Sequence, residues 1–182
     1  MIFWFELSGF LFITILGTLY HFIYEWSNHH RLMAILCAVN ESTWEHVKMV
    51  IGPAIVWSLI EIPFIGWEPN FWIAKSVSMI TMFFVMVIVF YTYYLILKKE
   101  ILILGILDFV FSVICGQFIS YRMLLSSPYK PEIKTLGLGL FFIIVAMYLT
   151  LTLKAPKSFL FRDPVNKKFG LDAHEHHNKK DI

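Results

Sequence analysis

Six side chains that could ligate a metal or move a proton stand out of an otherwise apolar sequence: His21, Glu25, Glu41, Glu45, His46 and Asp108. In the first apolar segment Thr14, Thr18, His21 and Glu25 recur at steps of four, three and four, a spacing that puts them on one helical face. The densest polar text follows shortly after, in Asn-Glu-Ser-Thr-Trp-Glu-His-Val-Lys at 40–48. Imidazole with carboxylate suits Zn, Fe or Mn in a helix-bundle site, and such a metal makes a nucleophile of bound water near neutral pH. The expectation is that His21, Glu25, Glu41, Glu45 and His46 supply metal ligands. Glu45, His46 and Asp108 are the expected catalytic groups.

A plainer reading covers part of this text. Ser42-x-x-Glu45 fits a capping box, with the Ser hydroxyl on a free amide and the Glu reaching back. Glu41 near the same helix start complements the dipole. Capping does not explain why Glu41, Glu45 and His46 stand beside His21 and Glu25 at the same membrane depth. Named metal motifs are absent: there is no HExxH, and the inverted HxxEH fails because Ser42 stands where its first His belongs. No phosphate-binding glycine loop or GxSxG elbow occurs either, and the cofactor the residues suggest is a divalent metal, Zn, Fe or Mn.

The elements that must position these residues follow from composition. Of the 182 residues 58% are hydrophobic and 15% charged, against about 45–50% and about 25% in ordinary soluble domains. So few charges could not cover so much apolar surface in water. A formal net charge of +2 gives no basic field for nucleic acid. The partner implied is the lipid bilayer. Protein partners are not indicated, and an oligomer is compatible with the sequence.

Five segments have the roughly 20 apolar residues that a spanning helix needs: 2–24, 47–65, 71–97, 101–125 and 136–153. The expected fold is therefore an all-α polytopic membrane bundle over 1–153, followed by a polar cytoplasmic tail over 154–182. The apolar run 31–39 is too short to cross and reads as an interfacial or re-entrant piece of the first inner loop. With the N-terminus outside, Arg31, Lys48, Lys98, Lys99 and the basic tail lie inside, leaving Lys75, Arg122, Lys130 and Lys134 outside. The positive-inside rule favours that orientation in the cell membrane. In the fourth segment Asp108, Ser112, Gly116 and Ser120 form a stripe of mostly small residues that should face another helix. Asp108 lies about 10 Å deep at 1.5 Å per residue and needs a partner or a proton there. Cys37 and Cys115 sit in apolar runs and read as small buried hydrophobes. The tail's His-Glu-His-His at 174–177 is a weak compositional metal signal.

The segments YHFIYEWS at 20–27 and VNESTWEHVKM at 39–49 resemble the bacterial integral membrane family DUF6512, a family without an assigned activity. His21, Tyr24, Glu25 and Trp26 match its first-helix ending. Asn40, Glu41, Ser42, Trp44, Glu45, His46 and Lys48 match its second segment, and FRDPVNKKFG at 161–170 resembles its ending. The resemblance implies a short polytopic protein and no particular reaction.

From the residues themselves the leading expectation is a polar His/Glu site at the cytoplasmic membrane face. It would belong to a metal-dependent membrane enzyme acting on a lipid or lipid-linked substrate. The alternatives are a small transporter or channel-type protein, in which Glu6, Glu61 and Asp108 titrate, and a structural or partner-binding membrane protein.

Overall fold

The computed structural model describes residues 1–99, 101–151, 155–163 and 167–170. Five helices long and apolar enough to cross a membrane account for most of these: α1 (Ile2–Trp26), α3 (Thr43–Ile65), α4 (Phe71–Leu97), α5 (Leu102–Leu124) and α6 (Pro131–Leu151). A short helix, α2 (Arg31–Leu36), lies where the run too short to span was expected. Among the described residues the fold is all-helical apart from one isolated bridge between Arg162 and Phe169. This is a multi-pass membrane architecture. Successive spans alternate in direction, so one face carries the N-terminus and the 66–70 and 125–130 connections. The opposite face, the tail face, carries α2, the 37–42 loop and the described part of the tail.

Local chemistry sets the ends. Ser42 caps α3, its hydroxyl accepting from the Glu45 amide at 3.4 Å. The capping box is only half made. The Ser42 amide donates to Asn40 Oδ1 (2.8 Å), which leaves the Glu45 carboxylate for other work. Pro131 opens α6, where its missing N–H costs nothing and its fixed φ suits a first turn. Lys98 closes α4 in the left-handed region, with φ 55°. On the N-terminal face Asn70 ties two connections together. Its Nδ2 donates to the carbonyls of Met123, Ser126 and Ser127, each at 3.1 Å, and its Oδ1 accepts from the Tyr129 amide.

α3 is the most buried span, flanked by α1 and α4, and α4 packs in turn on α5 and α6. Pro53 within α3 cannot donate to the Met49 carbonyl. That oxygen lies against Gly17 of α1, where any Cβ would collide with it, so a proline and a glycine together set this close helix contact. Large apolar side chains such as Trp4, Ile15, Phe84, Ile88, Phe118 and Phe142 face outward, as lipid contact requires.

Several polar residues lie in the interior. The face of α1 that carries Thr14, Thr18, His21 and Glu25 is not its packed one, whose buried residues are Glu6, Gly9, Ile13, Gly17, Tyr20 and Tyr24. Thr14 and Thr18 satisfy their hydroxyls on the carbonyls of Phe10 and Thr14, so nothing obliges them to face protein. Lys75, expected among the outer basic residues, is 3% exposed inside the bundle. The α5 stripe is buried throughout, as its small residues imply.

Candidate functional site

The tail face brings together three of the expected residues. Glu41 Oε1 lies 3.8 Å from His21 Nε2, and Glu41 Oε2 lies 3.6 Å from His46 Nε2. The two imidazole centroids are 6.3 Å apart. All three side chains are about 40% exposed: 38% for His21 and 42% for Glu41 and His46. Exposed pairs at such distances contribute about 0–1 kcal/mol, so this cluster does little for stability.

His46 Nδ1 lies 3.1 Å from the Ser42 carbonyl. A carbonyl only accepts, so Nδ1 is the donor in this bond and Nε2 is the ring nitrogen turned toward Glu41. Glu41 is positioned by the tail: its amide donates to Oδ2 of the fully buried Asp163 at 3.1 Å. Asn40 Nδ2 donates to the Gly170 carbonyl at 2.9 Å, and Trp44 stacks on Phe161. The described tail residues thus dock onto the start of α3 and hold the loop that presents Glu41.

The remaining expected residues do not join them. Glu25 pairs with His29 at 2.9 Å, because the turn that closes α1 brings the two side chains together. Glu45 is turned away by helix geometry, since adjacent residues diverge by about 100° and His46 already faces Glu41. The Glu45 side chain is 2% exposed, and its Oε2 accepts from the Val39 amide (3.1 Å) and from Lys48 Nζ (3.0 Å). Lys48, fully buried, also donates to the carbonyls of Ala34 (3.0 Å) and Cys37 (2.7 Å). The Tyr148 hydroxyl donates to the Leu36 carbonyl. Glu45 and Lys48 therefore fasten α2 and its exit to the bundle, a structural task. Asp108 is buried in α5, its Oδ1 has no hydrogen-bond partner among the described residues, and no bond joins it to the imidazoles. Among the described residues no group of three or more His, Cys, Asp or Glu is gathered closely enough to hold a metal ion. Of the five expected ligands the structure brings together His21, Glu41 and His46, while Glu25 and Glu45 are engaged elsewhere. Residues 174–177 lie outside the described residues. Cys37 serves as a small buried hydrophobe; burial pushes its thiol up to about 11, far from a reactive thiolate.

A cleft of about 530 Å³ opens beside the cluster. Glu41 and Thr43 line it from the start of α3, Tyr91 and Tyr94 from α4, and Lys157 and Arg162 from the tail. The Thr43 hydroxyl meets that of Tyr91 at 3.1 Å. Of these residues sequence reading singled out Glu41 and passed over Tyr91, Tyr94 and Lys157. Tyrosines in the last turns of a span and a basic stretch just beyond another are nevertheless a legible interfacial signal.

The fold and this face define a small five-span membrane protein with a polar site at one membrane boundary. The chain belongs to DUF6512, a family of unknown function whose model matches residues 3–171. Neither curated proteins nor solved structures yield a match to the chain.

Proposed function

We propose that the protein is a membrane-interface enzyme in which His21, Glu41 and His46 do acid–base work on a lipid or lipid-linked substrate. One observation carries this reading: Glu41 both bridges the two imidazoles and lines the cleft. With Nδ1 held on the Ser42 carbonyl, Nε2 is the His46 nitrogen able to exchange a proton with Glu41 or with a group bound beside it, which is what acid–base work requires. Lys157 and Arg162 supply positive charge for an anionic head group, and Tyr91 and Tyr94 suit the depth where head group meets acyl chain. The metal-dependent form of the reading is not carried forward, for want of a gathered ligand set among the described residues.

The test is conversion of species in a polar lipid extract by purified protein, followed by mass spectrometry. Glu41→Gln and His46→Ala should each lower the wild-type rate about 10²-fold or more, the usual span of general acid–base catalysis being 10²–10⁴. Equal conversion by wild type and Glu41→Gln, or none by wild type, would sink the proposal.

In the orientation set by the basic residues this site faces the cytoplasm. In a background lacking Cys37 and Cys115, Ser127→Cys should react with an impermeant thiol reagent added outside intact cells. Lys99→Cys should react only after the membrane is opened, and the reverse pattern would invert the topology. A transporter reading draws on a different place, the buried ionic cluster at the N-terminal face.

A further inference from the structure

Four side chains meet at one level inside the bundle, and each lies four residues from the N-terminal-face end of its own helix. Glu6 follows Ile2 in α1, Glu61 precedes Ile65 in α3, Lys75 follows Phe71 in α4, and Ser120 precedes Leu124 in α5. At 1.5 Å per residue that level is about 6 Å in from the helix ends. All four are buried, Glu61 and Ser120 completely. Lys75 Nζ lies 2.6 Å from Glu6 Oε1 and 2.6 Å from Glu61 Oε2. Ser120 donates to Glu6 Oε1 at 2.8 Å, and Gln117 Nε2 donates to the Glu6 backbone carbonyl at 3.0 Å.

The charges do not balance. Two carboxylates face one ammonium, and α5 adds only the neutral Gln117 and Ser120. Arg122, further along α5, is exposed, and the buried residues of α6 are Gly137, Phe141 and Tyr148. Fully ionised, the cluster would keep one excess negative charge out of water, at a cost of several kcal/mol. Three carboxylate oxygens, Glu6 Oε2 and both of Glu61, are buried with no hydrogen bond among the described residues. Glu61 Oε2 is ion-paired with Lys75, and the indole N–H of Trp57, one turn away on α3, lies within reach of the Glu61 carboxyl. One neutral N–H, the Ser120 hydroxyl and one ammonium are few donors for two ionised carboxylates, whose oxygens are costly to leave unsolvated.

We propose that Glu6, Lys75 and Glu61 form a proton-binding site that holds one proton, shared between the two carboxyl groups, close to the N-terminal face. One proton brings the cluster to neutrality, and it has a place on Glu6 Oε2 or on Glu61 Oε1. Whichever carboxyl is ionised is held by Lys75, which contacts both. Nothing in the tail-face site depends on this cluster.

Infrared difference spectroscopy of purified, reconstituted protein tests the site, with Asp108→Asn as the common background so that its carboxyl does not contribute. Glu6→Gln and Glu61→Gln each retain shape and leave one carboxylate paired with Lys75, so both variants should fold. Each should remove the same protonated-carboxyl band at neutral pH, and combining them should remove no more than either alone. A purely structural ion cluster would not behave that way. A protonated-carboxyl absorption left unchanged by both single variants would show the cluster fully ionised and overturn the proposal.

Discussion

Replacing Lys48 with Met should destabilise the protein by about 3–5 kcal/mol, the usual cost of breaking a buried ion pair from one side. Denaturant or thermal unfolding in detergent reads the loss. Lys48 is fully buried and donates to Glu45 Oε2 and to the carbonyls of Ala34 and Cys37. Those carbonyls lie at the end of α2, where the helix leaves its last oxygens without internal partners. Met fills much of the volume but gives back no hydrogen bond, so a buried carboxylate and two buried carbonyls lose a partner together. Adding Glu45→Gln to Lys48→Met should recover part of the loss by removing the charge. His46→Ala, one residue from Glu45 but half exposed, should stay within about 0.5 kcal/mol of wild type. A Lys48→Met protein as stable as wild type would mean that α2 is not held through this lysine.

That contrast shows how far the sequence could be read. The five spans were legible because hydropathy over about 20 residues is a strong signal. Their ends were less so. α6 begins at Pro131, five residues before the expected 136, because its first turn is polar and hydropathy cannot see a helix start that proline and an acidic first turn favour. His21, Glu41 and His46 were legible as neighbours because all three lie at the same membrane boundary. Glu45 lies apart from them because depth says nothing about azimuth, and one step along α3 turns its side chain toward Val39 and Lys48. Glu25 shares a face with His21, yet at the end of α1 it finds His29 closer.

The burial of Lys75 and the identity of its partners were the least legible features, and the reason is physical. Charge bookkeeping for topology counts a lysine near a span's end as a loop residue. Its partners are 14 residues away, in Glu61, and 69 away, in Glu6, so no local spacing announces them. The available signal was vertical: Glu6, Glu61 and Lys75 all fall the same number of residues inside their helices. A single cation at the level of two carboxylates in an apolar bundle has few other places to go.

Lys75→Met should therefore cost about as much as Lys48→Met, again about 3–5 kcal/mol, by a different route. Removing the ammonium leaves Glu6 and Glu61 facing each other, both buried, with only the Ser120 hydroxyl as a side-chain donor to Glu6. Either the pair keeps a charge without a counter-ion or both carboxyls must be neutral, and neither state regains the two contacts at 2.6 Å. The decisive comparison is the triple variant Glu6→Gln, Glu61→Gln, Lys75→Met. It carries no charge at this level, and replacing all members of a buried ionic group together is often near neutral where removing one is not. Unfolding in detergent should rank wild type and the triple variant close together, with Lys75→Met well below both. If the single and triple variants lose the same stability, the lysine matters through its packed stem alone, and the charges at this level contribute nothing to holding α1, α3 and α4 together.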